Sequence, residues 1–355
     1  MSGIAAVYRS DGRMAQPTLV EKMVRAMAHR GPDGLTWWAD GAIGLGHGLM
    51  HTTPESLRER QPVSDGTCWL VWDGRLDNRE ELLRSLKSEG IPRGEETDPE
   101  LALGAYRLWG RRCVDHLLGE FAVVVWDARA NTVFGARDRI GLKPFYYTRQ
   151  GGALLIASEV KALLAVLARM PEPDDEVVLA MLLSEMREPD NHRSLFAGIH
   201  RLPPGHVMVV KDGRLAIQRY WQIDPSKQTR YKRPEAYVEH FRALFEEAVR
   251  RRTRSAFPVG CLLSGGLDSS SITALAASHG TAVEAFTAFS QDPASDERRY
   301  ARQVCQAAGI PHWEFTGTCD DPLQGLDELL WEVESPLVST DRNKSVLTAL
   351  LHSRR

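Results

Sequence analysis

The string VGCLLSGGLDSSS at 259–271 constrains this chain more than any other. A continuous apolar run from Val259 to Leu263 enters Ser264-Gly265-Gly266 and then Asp268-Ser269-Ser270, after which Ile272, Leu275 and Ala276 recur at helical spacing. The order is a buried strand, a tight glycine turn and a helix N-terminus. Two adjacent glycines let successive N–H groups turn into one cup, serine hydroxyls add donors, and the positive end of the helix dipole lies beneath. Such a cup suits a phosphate or pyrophosphate group. The loop holds no lysine, which excludes a Walker A motif. A bare Gly-Gly is more often a turn without a ligand, so the reading rests on the whole string.

Around this loop the chain alternates helix and strand. A helix is predicted over 236–252, with Val238, Phe241, Leu244, Phe245 and Ala248 on one apolar face. Strands follow at 259–263, 283–289 and 312–315, with helices at 269–278 and 295–308, an order that predicts a parallel, doubly wound sheet. Upstream the pattern is different. Short strands are predicted at 4–8, 43–50, 68–72, 121–126, 132–136, 145–148 and 153–157, and a hairpin turns at Asp212-Gly213. Asn78 and Glu81 resemble a capping box, while Asp98-Pro99 reads as an N-cap with Pro at N1 of a helix that Gly110 closes. Many strands and few helices predict layered α+β packing. The polar stretch between them reads as a linker, giving a first domain over 1–220, a linker over 221–235 and a second domain over 236–355.

Composition narrows the function classes. Of 355 residues, 44 are Lys or Arg and 47 Asp or Glu, a net charge of −3, which argues against nucleic-acid binding driven by bulk charge. The five cysteines (Cys68, Cys113, Cys261, Cys305, Cys319) show no CxxC spacing, so neither a zinc site nor a disulfide framework is expected. Apolar runs such as FAVVVW at 121–126 fall far short of a membrane span, and Arg9 and Asp11 interrupt any signal-peptide core. A soluble, cytoplasmic protein with no nucleic-acid or membrane partner is expected. His47 and His51 lack a third ligand nearby and read as core or surface histidines.

SGGLDSS at 264–270 resembles the pyrophosphate loop of ATP pyrophosphatases. The resemblance implies that Ser264, Gly265, Gly266, Ser269 and Ser270 hold the pyrophosphate end of ATP, that Asp268 helps to hold Mg²⁺, and that Leu263 and Ala288 lie near the adenine. ATP and Mg²⁺ are the implied cofactors. Six further strings resemble, in the family's order, asparagine synthetase of the glutamine-hydrolysing type: HRGPDG at 29–34, TDPEL at 97–101, LLGEFAVVVWD at 117–127, ARDRIGLKPFYY at 136–147, ASEVKALL at 157–164 and RLPPGHV at 201–207. The implied fold is a glutaminase of the N-terminal-nucleophile type, an αββα sandwich, followed by an α/β ATP pyrophosphatase domain. The implied reaction is amide formation, in which a carboxylate is adenylated and attacked by an amine.

The glutaminase chemistry departs from the family. Where the family has Met-Cys-Gly, this chain has Met1-Ser2-Gly3, and a hydroxyl is a far weaker nucleophile than a thiolate at neutral pH. Leu49 stands where the family has an arginine for the glutamine α-carboxylate. Asp73-Gly74-Arg75 replaces Asn-Gly-Glu, placing a carboxylate where an oxyanion develops. Only Gly74 and Asp98 survive of the glutamine ligands, and Asp98 also reads as the helix cap. Loss of glutaminase activity is expected. A sandwich without its nucleophile resembles the branch that includes β-lactam synthetase and lasso-peptide cyclases, as do the stretches at 51–56, 59–62 and 73–82. That branch implies a small-molecule or peptide carboxylate as substrate, a precursor peptide among the candidates; self-association of the chain stays open.

The family's second pyrophosphate signature, SGxGxDE, is expected beyond ESPLVST at 334–340, and no such string precedes Arg355. An incomplete second domain, inactive alone, is therefore expected. Two other readings compete with the ligase: a non-catalytic binding or scaffold protein, and a Ser2-dependent amidohydrolase, against which Leu49 and Asp73 count.

Overall fold

A computed structural model describes residues 2–88, 90, 96–183, 192–289, 296–316 and 326–334. The chain forms two compact units, Met1–Ser226 and Lys227–Arg355. The first contains strands β1 (Gly3–Arg9), β2 (Gly34–Asp40), β3 (Ile43–Leu49), β4 (Val63–Ser64), β5 (Cys68–Leu76), β6 (Gly119–Asp127), β7 (Thr132–Arg137), β8 (Tyr146–Gln150), β9 (Ala153–Ala157), β10 (Ile199–Arg201), β11 (His206–Lys211) and β12 (Arg214–Arg219). Its helices are α1 (Pro17–Ala26), α2 (Arg79–Lys87), α3 (Asp98–Trp109), α4 (Cys113–His116), α5 (Val160–Leu164) and α6 (Asp175–Leu182).

Two antiparallel six-stranded sheets, ordered β10-β8-β9-β1-β3-β2 and β12-β11-β7-β6-β5-β4, lie face to face. Alternation along each strand explains the packing. In β6, Ala122, Val124 and Trp126 enter the core between the sheets, while Phe121, Val123 and Val125 face outward under α2, α3 and α4. The FAVVVW run is apolar throughout because both of its faces are buried. On the other side, Ala5 and Val7 of β1 pack under Val20, Met23 and Val24 of α1 and Val160 and Leu163 of α5. The layers therefore run helices, sheet, sheet, helices.

Two helix caps differ from the sequence reading. Thr97, not Asp98, is the N-cap of α3; its N–H donates to the Glu100 carboxylate at 2.6 Å, one arm of a capping box. Asn78 makes no side-chain cap. Its carboxamide instead staples residues 116–118, accepting from the Leu118 N–H and donating to the His116 carbonyl, each at 2.9 Å.

The second unit contains α7 (Pro234–Arg252), β13 (Val259–Leu262), α8 (Leu267–Ser278), β14 (Val283–Phe289), α9 (Arg298–Ala308), β15 (His312–Thr316) and α10 (Leu326–Val333). The strands pair parallel in the order β13-β14-β15. Val259, Cys261, Leu263, Val283 and Ala285 share one face, packed on by Val249 of α7, Leu275 and Ala276 of α8, and Ala301 and Cys305 of α9. Double winding is thus not present among the described residues: these helices cover one face, as in-order parallel strands with right-handed crossovers require. The predicted apolar face of α7 is also corrected. Val238 and Phe241 are 66% and 68% exposed and Leu244 is exposed, and contact with the core comes from Phe245 and Val249. Ser295, Cys319 and residues 335–340 lie outside the described residues.

Candidate functional site

At the start of β1, Ser2 is fixed from two directions. Its Oγ accepts a hydrogen bond from the Met50 N–H at 3.1 Å, and its carbonyl oxygen accepts from Arg30 Nε at 2.9 Å. Ser2 opens on a cavity of about 170 Å³, with Thr52, Thr53, Ser56, Glu59, Asp73, Gly74, Arg75, Glu120 and Lys143 among the lining residues. The structure thus brings together Ser2, Asp73 and Gly74. Leu49 and Asp98 do not line this cavity. Asp98 instead accepts from the Leu76 N–H and from Arg79, both at 2.8 Å, and ties α3 to the end of β5.

Asp73 lies on β5, paired with Ala122 of β6, and is 1% exposed. Arg30 reaches one carboxylate oxygen and Lys143 the other, each at 3.3 Å. Its charge is therefore compensated, although the carboxylate still contributes no hydrogen-bond donor to an oxyanion. Arg30 spans further, to Glu159 at 2.9 Å, where Lys161 also sits at 2.9 Å. Burial pushes the Glu159 carboxyl up, but the hydrogen bonds from Arg30 and Lys161 outweigh it and hold the group below its ordinary value. Gly74 is kept by close packing: a Cβ there would lie 2.2 Å from the Glu120 carbonyl oxygen.

Three charged residues here escape a reading by motif. Arg30, Lys143 and Glu59 sit inside stretches of recognised resemblance without an assigned role. Glu59 accepts from Gln61 Nε2 at 2.6 Å. Burial, with Asp98, Asp73 and Glu100 nearby, pushes its carboxyl up to about 7 against the Gln61 hydrogen bond. His47 is wholly buried against Gln61 at 3.1 Å, and burial pushes it down to about 4, so it is neutral. His51 donates its backbone N–H to Asp33 at 2.7 Å, and no metal-binding group of residues is found among the described residues.

In the second unit the SGG turn is a tight loop in which the Ser264 and Gly266 N–H groups donate to Ser269 Oγ and Ser264 Oγ, each at 3.3 Å. Gly265 has φ +90°, and a Cβ there would lie 2.9 Å from Tyr300 Cβ and 3.0 Å from the Glu297 carbonyl oxygen. Only glycine fits this close approach of loop and α9. Gly266 caps α8, and Ser269 Oγ accepts from the Ser264 N–H at 3.3 Å while donating to the Gly266 carbonyl at 3.2 Å. Asp268 is exposed in the first turn of α8, and the Ser270 Oγ is buried without a hydrogen-bond partner among the described residues. Leu263 is buried, its carbonyl accepting from Thr287 Oγ1 at 2.7 Å, and Ala288 is exposed on β14. A tight glycine turn, an orphaned hydroxyl and an exposed carboxylate suit a phosphate chain with its divalent cation.

Residues 1–221 match the family model of the glutamine amidotransferase domain, and residues 240–353 match that of asparagine synthase. The chain belongs to the asparagine synthetase family, a family of carbon–nitrogen ligases. It is similar to asparagine synthetase [glutamine-hydrolyzing] 3 of Bacillus subtilis, 36% identical over 267 residues, covering 73% of this chain and 42% of the relative. It is also similar to amidase chyE of Penicillium rubens, 31% identical over 338 residues, 90% of this chain and 49% of the relative. The chain spans about half the length of the curated relatives it matches. Among solved structures it aligns with the glutamine phosphoribosylpyrophosphate amidotransferase of B. subtilis complexed with ADP and GMP, at a TM-score of 0.45 and 15% identity, over 92% of this chain and 70% of that one. No helix of the described residues is long and apolar enough to cross a membrane.

Proposed function

We propose that this chain serves an ATP-dependent amide-forming ligase that activates a carboxylate for attack by an amine already present on its substrate, without hydrolysing glutamine. The observation that carries the reading is the loop at 264–270, a tight glycine turn whose Gly266 caps the N-terminus of α8 and whose Gly265 admits no Cβ. ATP would be held there by the Ser264–Gly266 backbone, Ser269 and Ser270, with Leu263 and Ala288 toward the adenine and Asp268 toward Mg²⁺. Bound there, ATP supplies carboxylate activation with AMP and pyrophosphate as products. The first unit takes the N-terminal-nucleophile sandwich fold and the second the ATP pyrophosphatase fold in this reading. Ser2, Leu49 and the paired Asp73 support loss of glutaminase activity. A peptide carboxylate, closed into a ring by its own amine as in the lasso-peptide cyclases, fits the absence of an ammonia source.

The test is ATP–pyrophosphate exchange by the full-length protein, screened over aspartate and candidate precursor peptides, with glutamine hydrolysis assayed in parallel. Exchange dependent on one carboxylate is the expected result. Nucleotide binding without exchange for any of them would favour the scaffold reading, and hydrolysis of glutamine lost in Ser2→Ala would favour the amidohydrolase.

A further inference from the structure

The cavity beside Ser2 contains an electrostatic imbalance that the ligase reading does not use. Its charged lining residues are Glu59, Asp73, Arg75, Glu120 and Lys143. Asp73 is answered by Arg30 and Lys143, Lys143 also lies 3.6 Å from Glu120, and Arg75 lies 3.5 Å from Asp77. Glu59 has no such answer among the described residues. Its side chain is 8% exposed, and among the described residues its one ion-pair neighbour is His47 at 4.0 Å, which burial keeps neutral. Its hydrogen-bond donor is the uncharged Gln61 carboxamide. A carboxylate buried without a cation is costly, and a positive ligand at its free oxygen would relieve that cost.

The lining and the size of the cavity describe what else the ligand meets. Thr52, Thr53, Ser56 and Ser2 line the same cavity as Glu59 and make its wall rich in hydroxyl-bearing residues. At about 170 Å³ the space is below the roughly 300 Å³ where drug-sized ligand pockets begin. Leu49 supplies no guanidinium for a ligand carboxylate.

We propose that this cavity binds a small primary ammonium ligand, with Glu59 as its anchor and hydroxyl oxygens of the lining as neutral acceptors for its remaining N–H groups. The proposal rests on the reading that the cavity no longer hydrolyses glutamine.

The experiment uses the full chain and ethanolamine hydrochloride as probe, with ethylene glycol as the uncharged control at matched ionic strength, read by saturation-transfer NMR and calorimetry. Saturable binding of ethanolamine and none of ethylene glycol is expected, with affinity rising as pH goes from 6 to 8 and Glu59 ionises. Glu59→Gln should weaken binding about tenfold or more, since it removes a charge-assisted hydrogen bond. Glu120→Gln, at the more exposed wall, should change it less than threefold. Absence of saturable ethanolamine binding by the native chain overturns the proposal whether or not the Glu59 variant folds. So does equal weakening by the two variants, or equal binding of ethylene glycol. Glutamine hydrolysis by the same preparation would instead remove the underlying reading of the cavity, independently of what ethanolamine does.

Discussion

The Gln61 carboxamide grips the Trp72 peptide on both sides: its oxygen accepts from the Trp72 N–H at 2.6 Å and its nitrogen donates to the Trp72 carbonyl at 2.9 Å. One side chain thus completes the hydrogen bonding of β5 immediately before Asp73, and holds the cavity floor in register. Replacing it with leucine orphans two buried backbone groups at about 1–3 kcal/mol each. Gln61→Leu should therefore lose at least about 2 kcal/mol of stability, seen as a lower urea midpoint for the first unit. A midpoint within error of the native one would refute the clamp.

Arg30 joins Ser2, Asp73 and Glu159. Arg30→Met leaves two buried carboxylates short of a cation, and breaking a buried pair costs about 3–5 kcal/mol. The double variant Arg30→Met/Asp73→Asn should recover part of that loss. A double-mutant cycle in denaturant measures the coupling, and strict additivity of the two changes would contradict it.

Glu59 gives stability a pH dependence of unusual sign. Its folded pKa of about 7 lies above the ordinary 4.5, so between those values the folded state binds the extra proton. Its contribution is therefore lost as pH rises from 4.5 through 7, by at most about 3 kcal/mol. His47, folded near 4 against 6.5, acts oppositely, losing stability as pH falls through that window. Comparison with Glu59→Gln removes the His47 contribution from the difference. Relative to the native chain, the variant should gain stability between pH 5 and pH 8 in urea titrations; a constant difference would count against the buried, unpaired carboxyl.

At the phosphate loop, Gly265→Ala must force a Cβ against the α9 backbone from a left-handed conformation. Nucleotide binding by the full chain, followed with a fluorescent ATP analogue, should fall at least tenfold. Unchanged affinity would mean that the loop is not where ATP sits.

Phe241→Glu on α7 should change stability by no more than about 0.5 kcal/mol, because the native ring is mostly exposed. A loss of several kcal/mol in the unfolding midpoint would show that this face is covered.

Strand-scale features were legible where one force dominates. FAVVVW announces a strand, which the sheets and helices then bury on both faces, and the apolar run into Ser264-Gly265-Gly266 announces a strand, turn and helix. Polar residues hid the rest. The predicted strand at 68–72 continues to Leu76, because Asp73, Gly74 and Arg75 read as a turn and are kept extended by pairing with Ala122, Phe121 and Glu120. Strand β2 was missed since Trp37 and Trp38 break the alternation of apolar and polar residues. On α7, periodicity reveals an apolar face but not whether anything packs on it. At the candidate site, Ser2, Asp73 and Gly74 could be named from their string positions. The role of Arg30, which lies 43 residues from Asp73 and 129 from Glu159, arises only when the sheets stack.

The placing of Asp73 between Arg30 and Lys143 makes position 73 one link in a longer chain of charges. Arg30 continues to Glu159 and Lys143 to Glu120, so a neutral residue at 73 would leave each cation with one remaining carboxylate partner. A change at 73 therefore redistributes charge along the whole wall of the cavity, and its effect is read only together with the state of Glu120 and Glu159.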